Sequence, residues 1–422
     1  MKILYIGDNR NRENWGCRAT SKALKDLISQ KNNISYTMYG DVVGENIPFF
    51  EHENLSFVKQ LLYKLCSVKG LRKFKKYFKL YESDFIVEDI DKSIERFYAI
   101  AKQNALYKEI LQKVQEGDAI IINGEGDAIF TTPFRRKFLF LLMIMKIAQN
   151  NYKKTFYVNA MFSDCPKSGR NLNTLNQTID ILSQCTLVIA RDLDSFDYLN
   201  QFEHNINLKY VPDALFSWTK YENYLENLIK YPTALIPFPE YDKYWDNFNF
   251  TQPYICVSGG SSAAWSQEEA CIGYVKLVQV LKQQNYKLII VPTAPGDSFL
   301  YDVAEQTQVP IIPVNTNIFG GMSILANATV FVSGRWHPSI LASLGGTPCV
   351  MFGSNSSKTK SFLKMLDYEK QTEFSAIPKE EEFNDIIADI ENYIQQGSRL
   401  REKIKIKVKE LSELMDFYKT IQ

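Results

Sequence analysis

Short apolar runs rich in β-branched residues alternate with longer stretches of helical periodicity along most of this chain. The runs at residues 2–7, 34–39, 118–122, 155–160, 186–190 and 208–211 predict strands in the first half. Those at 254–258, 287–291, 310–313, 329–333 and 348–352 predict strands in the second. Several are apolar throughout, as parallel strands covered on both faces must be. Helical patterns such as 267–281 and 383–394 lie between or beyond them. Such alternation predicts doubly wound α/β sheets.

The chain has 422 residues, enough for two or three domains at roughly 100–200 residues each. An aromatic, proline-containing stretch poor in strand pattern interrupts the alternation, and YICVSGG then restarts like a first strand and glycine turn. The reading is therefore an N-terminal Rossmann-like domain over 1–217, with a helical insertion at about 50–117. A linker at 218–252, a C-terminal Rossmann-like domain over 253–400 and a last helix at 401–422 complete it. That last helix is expected to pack back across the junction, and a cleft is expected between the domains.

The net charge is +1, which argues against a nucleic-acid binder, since phosphate neutralisation usually demands a basic excess. The longest apolar run, FLFLLMIM at 138–145, is closed by Lys137 and Lys146 and falls short of the roughly 20 residues a bilayer core needs. The opening MKILYIGDNR reads as a buried strand rather than a signal peptide. Seven scattered cysteines without CxxC spacing point to reduced thiols in a cytoplasm and away from a structural zinc site. Within the insertion, residues 64–79 interleave Lys64, Lys69, Arg72, Lys73, Lys75, Lys76 and Lys79 with Phe74, Tyr77 and Phe78. This stretch suits docking to an anionic lipid surface at the inner face of the membrane or to a lipid-linked phosphorylated acceptor; a solvated helix face with its aromatics in the core is the favoured reading.

The sharpest local signal is Ser333-Gly334-Arg335-Trp336-His337-Pro338-Ser339. It follows a predicted strand and opens a helix, for which Pro338 is a good first-turn residue. Open α/β sheets bind ligands at that end, and helix N-termini favour anions. Arg335 adds a fixed cationic fork and His337 a group that exchanges a proton near neutral pH; the chain has only three histidines. A His–Arg pair capping a turn is the plainer alternative. The polar loop at 353–359, with Lys358, reads either as part of an anion site or as an ordinary strand–helix turn. Asn123-Gly124-Glu125-Gly126-Asp127 is expected at another strand end, with Glu125 and Asp127 as general bases or helix caps. Asp8, Asn14 and Trp15 follow the first strand without a GxGxxG pattern, so a standard dinucleotide fingerprint is absent. Arg191-Asp192 with Ser195, Pro212-Asp213 and Asp297 follow further strands, and Ser258-Gly259-Gly260-Ser261-Ser262 opens the second domain like a generic phosphate-friendly turn.

Taken in order, these pieces resemble the polysaccharide pyruvyl transferase family. Asn14 and Gly16 look like its opening turn, and Asn123–Gly126 stands where the family has a glycine run. Arg191-Asp192 with Ser195 resembles its arginine–aspartate–serine element, and Pro212-Asp213 with Phe216 its proline–aspartate segment. Arg335-Trp336-His337 is similar to its arginine–x–histidine motif, with Gly346–Pro348 and Lys358 following as expected. Glu125 departs from the glycine run, and Trp336 stands where leucine is frequent.

The resemblance implies two Rossmann-like domains in a GT-B-like arrangement. It also implies transfer of pyruvate from phosphoenolpyruvate to two hydroxyls of a glycan or lipid-linked sugar, forming a cyclic ketal. By position, Arg335, His337 and Arg191 then hold the donor, joined by Ser258, Gly259, Gly260 and Lys358. Asp8, Asn14, Trp15, Gly124 and Trp336 are expected to meet the acceptor. Glu125, Asp127 and Asp192 are the unranked carboxylates for proton transfer. Neither a metal nor a cofactor is expected. A GT-B glycosyltransferase using a nucleotide sugar is the alternative, and a sugar- or lipid-binding module without chemistry is a third reading.

Overall fold

The computed structural model describes residues 1–40, 85–221 and 250–421. The basic–aromatic stretch at 64–79 and most of the expected linker lie outside the described residues.

The first half forms a sheet from β1 (Lys2–Asp8), β2 (Asn33–Tyr39), β3 (Ala119–Phe130), β4 (Lys154–Asp164), β5 (Leu187–Ala190) and β6 (Leu208–Tyr210). Its order is β2-β1-β3-β4-β5-β6 and every pairing is parallel. The second half forms a smaller parallel sheet, β10-β9-β7-β8, from β7 (Ile255–Gly260), β8 (Leu288–Ile290), β9 (Val330–Gly334) and β10 (Cys349–Met351). The run at 310–313 is not a strand: it makes one bridge, Ile311 to Ile290. Pro310 and Pro313 flank it and have no N–H to extend a ladder.

Alternation along β1 sorts its side chains between two layers. Leu4 and Ile6 join an outer core with α2 (Ile90–Ala101), α3 (Ala105–Glu116) and α4 (Arg136–Asn150). The run 138–145 is thus the buried heart of α4. Ile3 and Tyr5 face inward, where they join α1 (Trp15–Ser29), α9 (Ile318–Asn327), α10 (Trp336–Ser343) and the C-terminal sheet residues Cys256 and Ile289. One apolar layer therefore runs through both domains. The remaining face of the second sheet packs on α7 (Gln267–Gln283), α8 (Phe299–Thr307) and the start of α12 (Phe383–Glu413); α5 (Leu172–Ser183), α6 (Leu193–Asn200) and α11 (Lys358–Met365) complete the helices used below.

The chain end crosses the junction. Helix α12 kinks at Gly397, whose φ of 52° lies in the left-handed region, and a 3-10 segment (Leu414–Thr420) follows. Arg401 donates to the carbonyls of Ala326, Ala328 and Gly345 at 2.7, 2.7 and 2.9 Å. Farther on, Tyr418 donates to the Pro212 carbonyl and Asn32 to that of Ile421.

One expectation is corrected here. The Asn123–Asp127 segment is not a turn at a strand end, because β3 continues to Phe130. Its ladder with β4 shifts register between Glu125 and Ala128, and Glu125 takes a left-handed φ of 40°. This is a bulge, which re-aims a side chain without ending the strand.

Candidate active site

The polar site begins at Asp213, just past β6 and at the end of the inner layer. Its carboxylate is fully buried. Oδ1 accepts from the Thr20 hydroxyl on α1 at 2.8 Å and from the Leu215 amide at 3.0 Å. Oδ2 accepts from Arg191 Nη1 at 3.1 Å and from the Trp336 indole N–H at 3.0 Å, and lies 3.2 Å from His337 Nε2. Arg191 also stacks on the Trp336 ring, 5.1 Å from its centroid. Burial alone would disfavour the Asp213 charge, but His337 and Arg191 outweigh it and hold the carboxyl well below its usual range. Behind this group, Asn159 donates to Thr20 and accepts the Ala214 amide.

His337 is wedged into this junction. Its Nε2 is also 3.2 Å from Arg191 Nη1. Arg191 has only N–H donors, so Nε2 either accepts from it or donates to Asp213, not both. The other side of the ring lies against Gly16 of α1, where a Cβ would overlap Nδ1 and Cγ. Glycine is required there by close approach, not by a special backbone angle.

Arg335 turns toward the second domain. Its Nε and Nη2 contact Asp297 Oδ1 at 3.2 and 2.5 Å, and its Nη1 lies 3.4 Å from the Ser261 hydroxyl. Gly259 leaves the space that the Asp297 carboxylate fills. Lys358, at the start of α11, donates to the same Ser261 hydroxyl at 3.0 Å and to Asn355 at 2.7 Å. Burial, then Arg335, Arg191 and Arg135, pull the Lys358 ammonium well below the ordinary lysine range. Arg135 itself donates to the Gly126 and Asp127 carbonyls, and Arg191 Nη2 points toward Gly126. Cations from both domains thus crowd one spot. The side chains of Arg335 and His337 are each 12% exposed, so neither is sealed in a dry interior.

The three candidate carboxylates separate by environment. Asp192 is committed to capping α6: it accepts the Ser195 amide and hydroxyl and the Ser361 hydroxyl. Burial pushes its pKa up, against the pull of Arg191. Asp127 pairs with Lys137 at 2.6 Å. Burial opposes its charge, yet Lys137, Arg135 and Arg12 hold it below the usual range. Glu125 stands on the bulge, where Oε1 accepts from Asn9 at 2.6 Å, Ser21 at 3.0 Å and Asn123 at 3.1 Å. The thiol of Cys17, pushed up by burial and then by Glu125, also interacts with Lys358, which places this carboxylate beside the cationic cluster.

Several residues expected to meet the acceptor do other work. Trp15 is buried, donates to the Val314 carbonyl at 2.6 Å and fills the space beside Gly321, joining the domains. Trp336 is buried between Asp213 and Arg191 and presents no face to solvent. Asp8 pairs with Arg10, and Asn14 caps α1. Gly124 has no room for a side chain between Ala160 and Tyr157. Ser258 and Gly260 are buried in β7, the latter paired with Gly334. Asp213, Thr20, Asn159, Arg135, Ser261, Asn9 and Ser21 were not among the expected site residues; of these, Asp213, in Pro212-Asp213 after a strand, and Ser261, in the glycine–serine turn after another, carried a local signal.

Residues 18–356 match a sequence model of the polysaccharide pyruvyl transferase family. A comparison with curated proteins found no match. Among solved structures, the N-terminal domain of Candida albicans trehalose-6-phosphate phosphatase is similar at 10% identity and TM-score 0.52, covering 99% of this chain and 98% of that one. The UDP-GlcNAc 2-epimerase of Neisseria meningitidis, bound to UDP-GlcNAc, is similar at 11% identity and TM-score 0.50, covering 98% and 99%. These likenesses show the fold, two parallel α/β domains in a GT-B-like arrangement.

Asp213→Asn tests the junction. It leaves Arg191, 1% exposed, without its counter-charge, and should lower stability by about 3–5 kcal/mol in urea unfolding at neutral pH. The Asp213 carboxyl is held below its unfolded value, so its contribution is complete above that value and is lost as pH falls through the folded one. The gap between wild type and variant should therefore narrow below about pH 4. Equal stability at neutral pH would contradict this role.

Proposed function

The chain belongs to the polysaccharide pyruvyl transferase family, and we propose that it moves pyruvate from phosphoenolpyruvate to two hydroxyls of a glycan or lipid-linked sugar. The product is a cyclic ketal on a cell-surface polysaccharide or its precursor, and phosphate is released. The observation that carries this reading is the convergence of Arg191 and Arg135 from one domain with Arg335 and Lys358 from the other. Their mutual repulsion is relieved by a small ligand bearing several negative charges.

Phosphoenolpyruvate carries a phosphate and a carboxylate on one central carbon. Arg335 and Lys358, which share Ser261, take one anionic group. The Arg191 edge that points toward Gly126 takes the other. His337, 3.2 Å from the Asp213 carboxylate, is the proton donor of the reading. Protonation of the methylene carbon makes the central carbon electrophilic, and the first sugar hydroxyl adds to it. The bond to the phosphate oxygen then breaks and the second hydroxyl closes the ring. Two hydroxyl protons are lost; one is balanced by the new methyl group and one leaves with phosphate. Glu125 is our choice to accept the hydroxyl protons, since Asp192 caps a helix and Asp127 is paired with Lys137.

The scheme consumes the donor alone and calls on no cofactor or metal. We place it in the cytoplasm, next to the membrane where the acceptor is lipid-linked. No described helix is long and apolar enough to cross a membrane.

Phosphate release from phosphoenolpyruvate in the presence of glycan acceptors tests the reaction, with release of nucleoside diphosphate from nucleotide sugars as the contrary result. His337→Ala should lower the phosphate-release rate by about 10²–10³; near-normal turnover would remove His337 from the scheme. Because burial and the neighbouring cations hold the Lys358 ammonium well below the ordinary lysine range, the KM for phosphoenolpyruvate should rise as pH climbs from neutral, well before the roughly 10.4 at which an ordinary lysine deprotonates. Lys358→Arg, charged throughout, should flatten that rise. A wild-type KM constant over the range would contradict the placement of Lys358 on the donor.

A further inference from the structure

Trp265 is the exception among the described tryptophans. Trp15, Trp218 and Trp336 are at most 3% exposed, whereas Trp265 is 52% exposed. It ends the short 3-10 turn (Ala263–Trp265) that follows β7, the strand whose next residue, Ser261, holds Lys358 and Arg335. The same turn packs against Gly296, which borders Arg335 Nη2. The indole therefore springs from the wall of the anion site. Across from it, the Lys167 ammonium of the first domain lies over the ring, 5.7 Å from its centroid. Lys167 sits on a tight turn after β4, closed by a bridge between Cys165 and Gly169 and tied to Thr132 through Ser168. Trp265 and Lys167 thus face each other from the two domains, beyond the C-terminal ends of both sheets.

We propose that Trp265 is a stacking platform for a pyranose ring of the acceptor glycan, with Lys167 as a hydroxyl-binding partner beside it. This rests on the pyruvyl-transfer reading and adds the acceptor's place to it. The inner side of the anion site is closed by Asp213, His337 and the apolar layer. An acceptor reaches the donor from the outer side, where Trp265 and Lys167 stand. A pyranose has a face of C–H bonds that covers an indole and an edge of hydroxyls that needs polar partners. An exposed indole beside an ammonium supplies both, and its large rigid ring loses little conformational freedom on binding.

The test uses the full-length protein and a set of soluble p-nitrophenyl glucosides, galactosides and mannosides. Binding is measured by calorimetry without phosphoenolpyruvate, and steady-state phosphate release is measured with it. Trp265→Ala should weaken glycan affinity and raise the acceptor KM by about three- to tenfold, leaving the KM for phosphoenolpyruvate unchanged. Trp265→Tyr should restore most of the loss. Unaltered glycan affinity in Trp265→Ala would overturn the platform, as would wild-type protein that binds none of the glycosides. An equal rise in both KM values, matched by Lys167→Ala, would also overturn it, marking the pair as a latch between domains. Glycan binding that depends on Trp265, together with wild-type protein inert toward phosphoenolpyruvate, would sustain the platform and refute the donor instead.

Discussion

One buried carboxylate oxygen organises this molecule. Asp213 Oδ2 accepts from Arg191 of its own domain and from Trp336 of the other, and it lies within reach of His337. A charge without solvent is tolerated only when such partners are in place. The two domains must therefore meet in one register for Asp213 to be satisfied, and that register also sets the position of His337. Trp15 and the end of the chain reinforce the same junction from the apolar side.

The rest of the site follows from an imbalance of charge. Asp213 and Asp297 are each engaged by an arginine, whereas Lys358 stands among cations and donates to the uncharged side chains of Ser261 and Asn355. Burial first, and then that crowding, depress the basicity of Lys358. In the proposed reading a polyanionic donor offsets the repulsion among these cations, so binding and preorganisation of the transition-state charges come from the same residues. The bulge at Glu125 belongs to the same site, since its left-handed backbone sets a buried carboxylate among Asn9, Ser21 and Asn123.

Much of the fold was legible because parallel strands buried on both faces leave unbroken apolar runs, as in Ile120–Ile122 and Val330–Val332. The placement of Arg335 and His337 at the step from a strand to a helix was legible because that pattern is local. The Asp213 network was not, since its partners lie 22, 123 and 193 residues away in sequence. Trp15 and Trp336 were misread for a physical reason: an aromatic just past a strand looks the same whether it meets a ligand or another domain. The Asn123–Asp127 segment was misplaced because glycines signal a bulge and a turn alike. Trp265 carried no signal at all, since exposure is a property of the assembled surface.

The central claim is that one donor is held jointly by cations from both domains. A double-mutant cycle on phosphoenolpyruvate binding, with Arg191→Lys and Lys358→Met alone and together, measures it most directly. The account predicts that each change weakens binding and that the two are coupled, so that their effects do not add. Unchanged affinity in either single variant, or strictly independent effects in the pair, would contradict it.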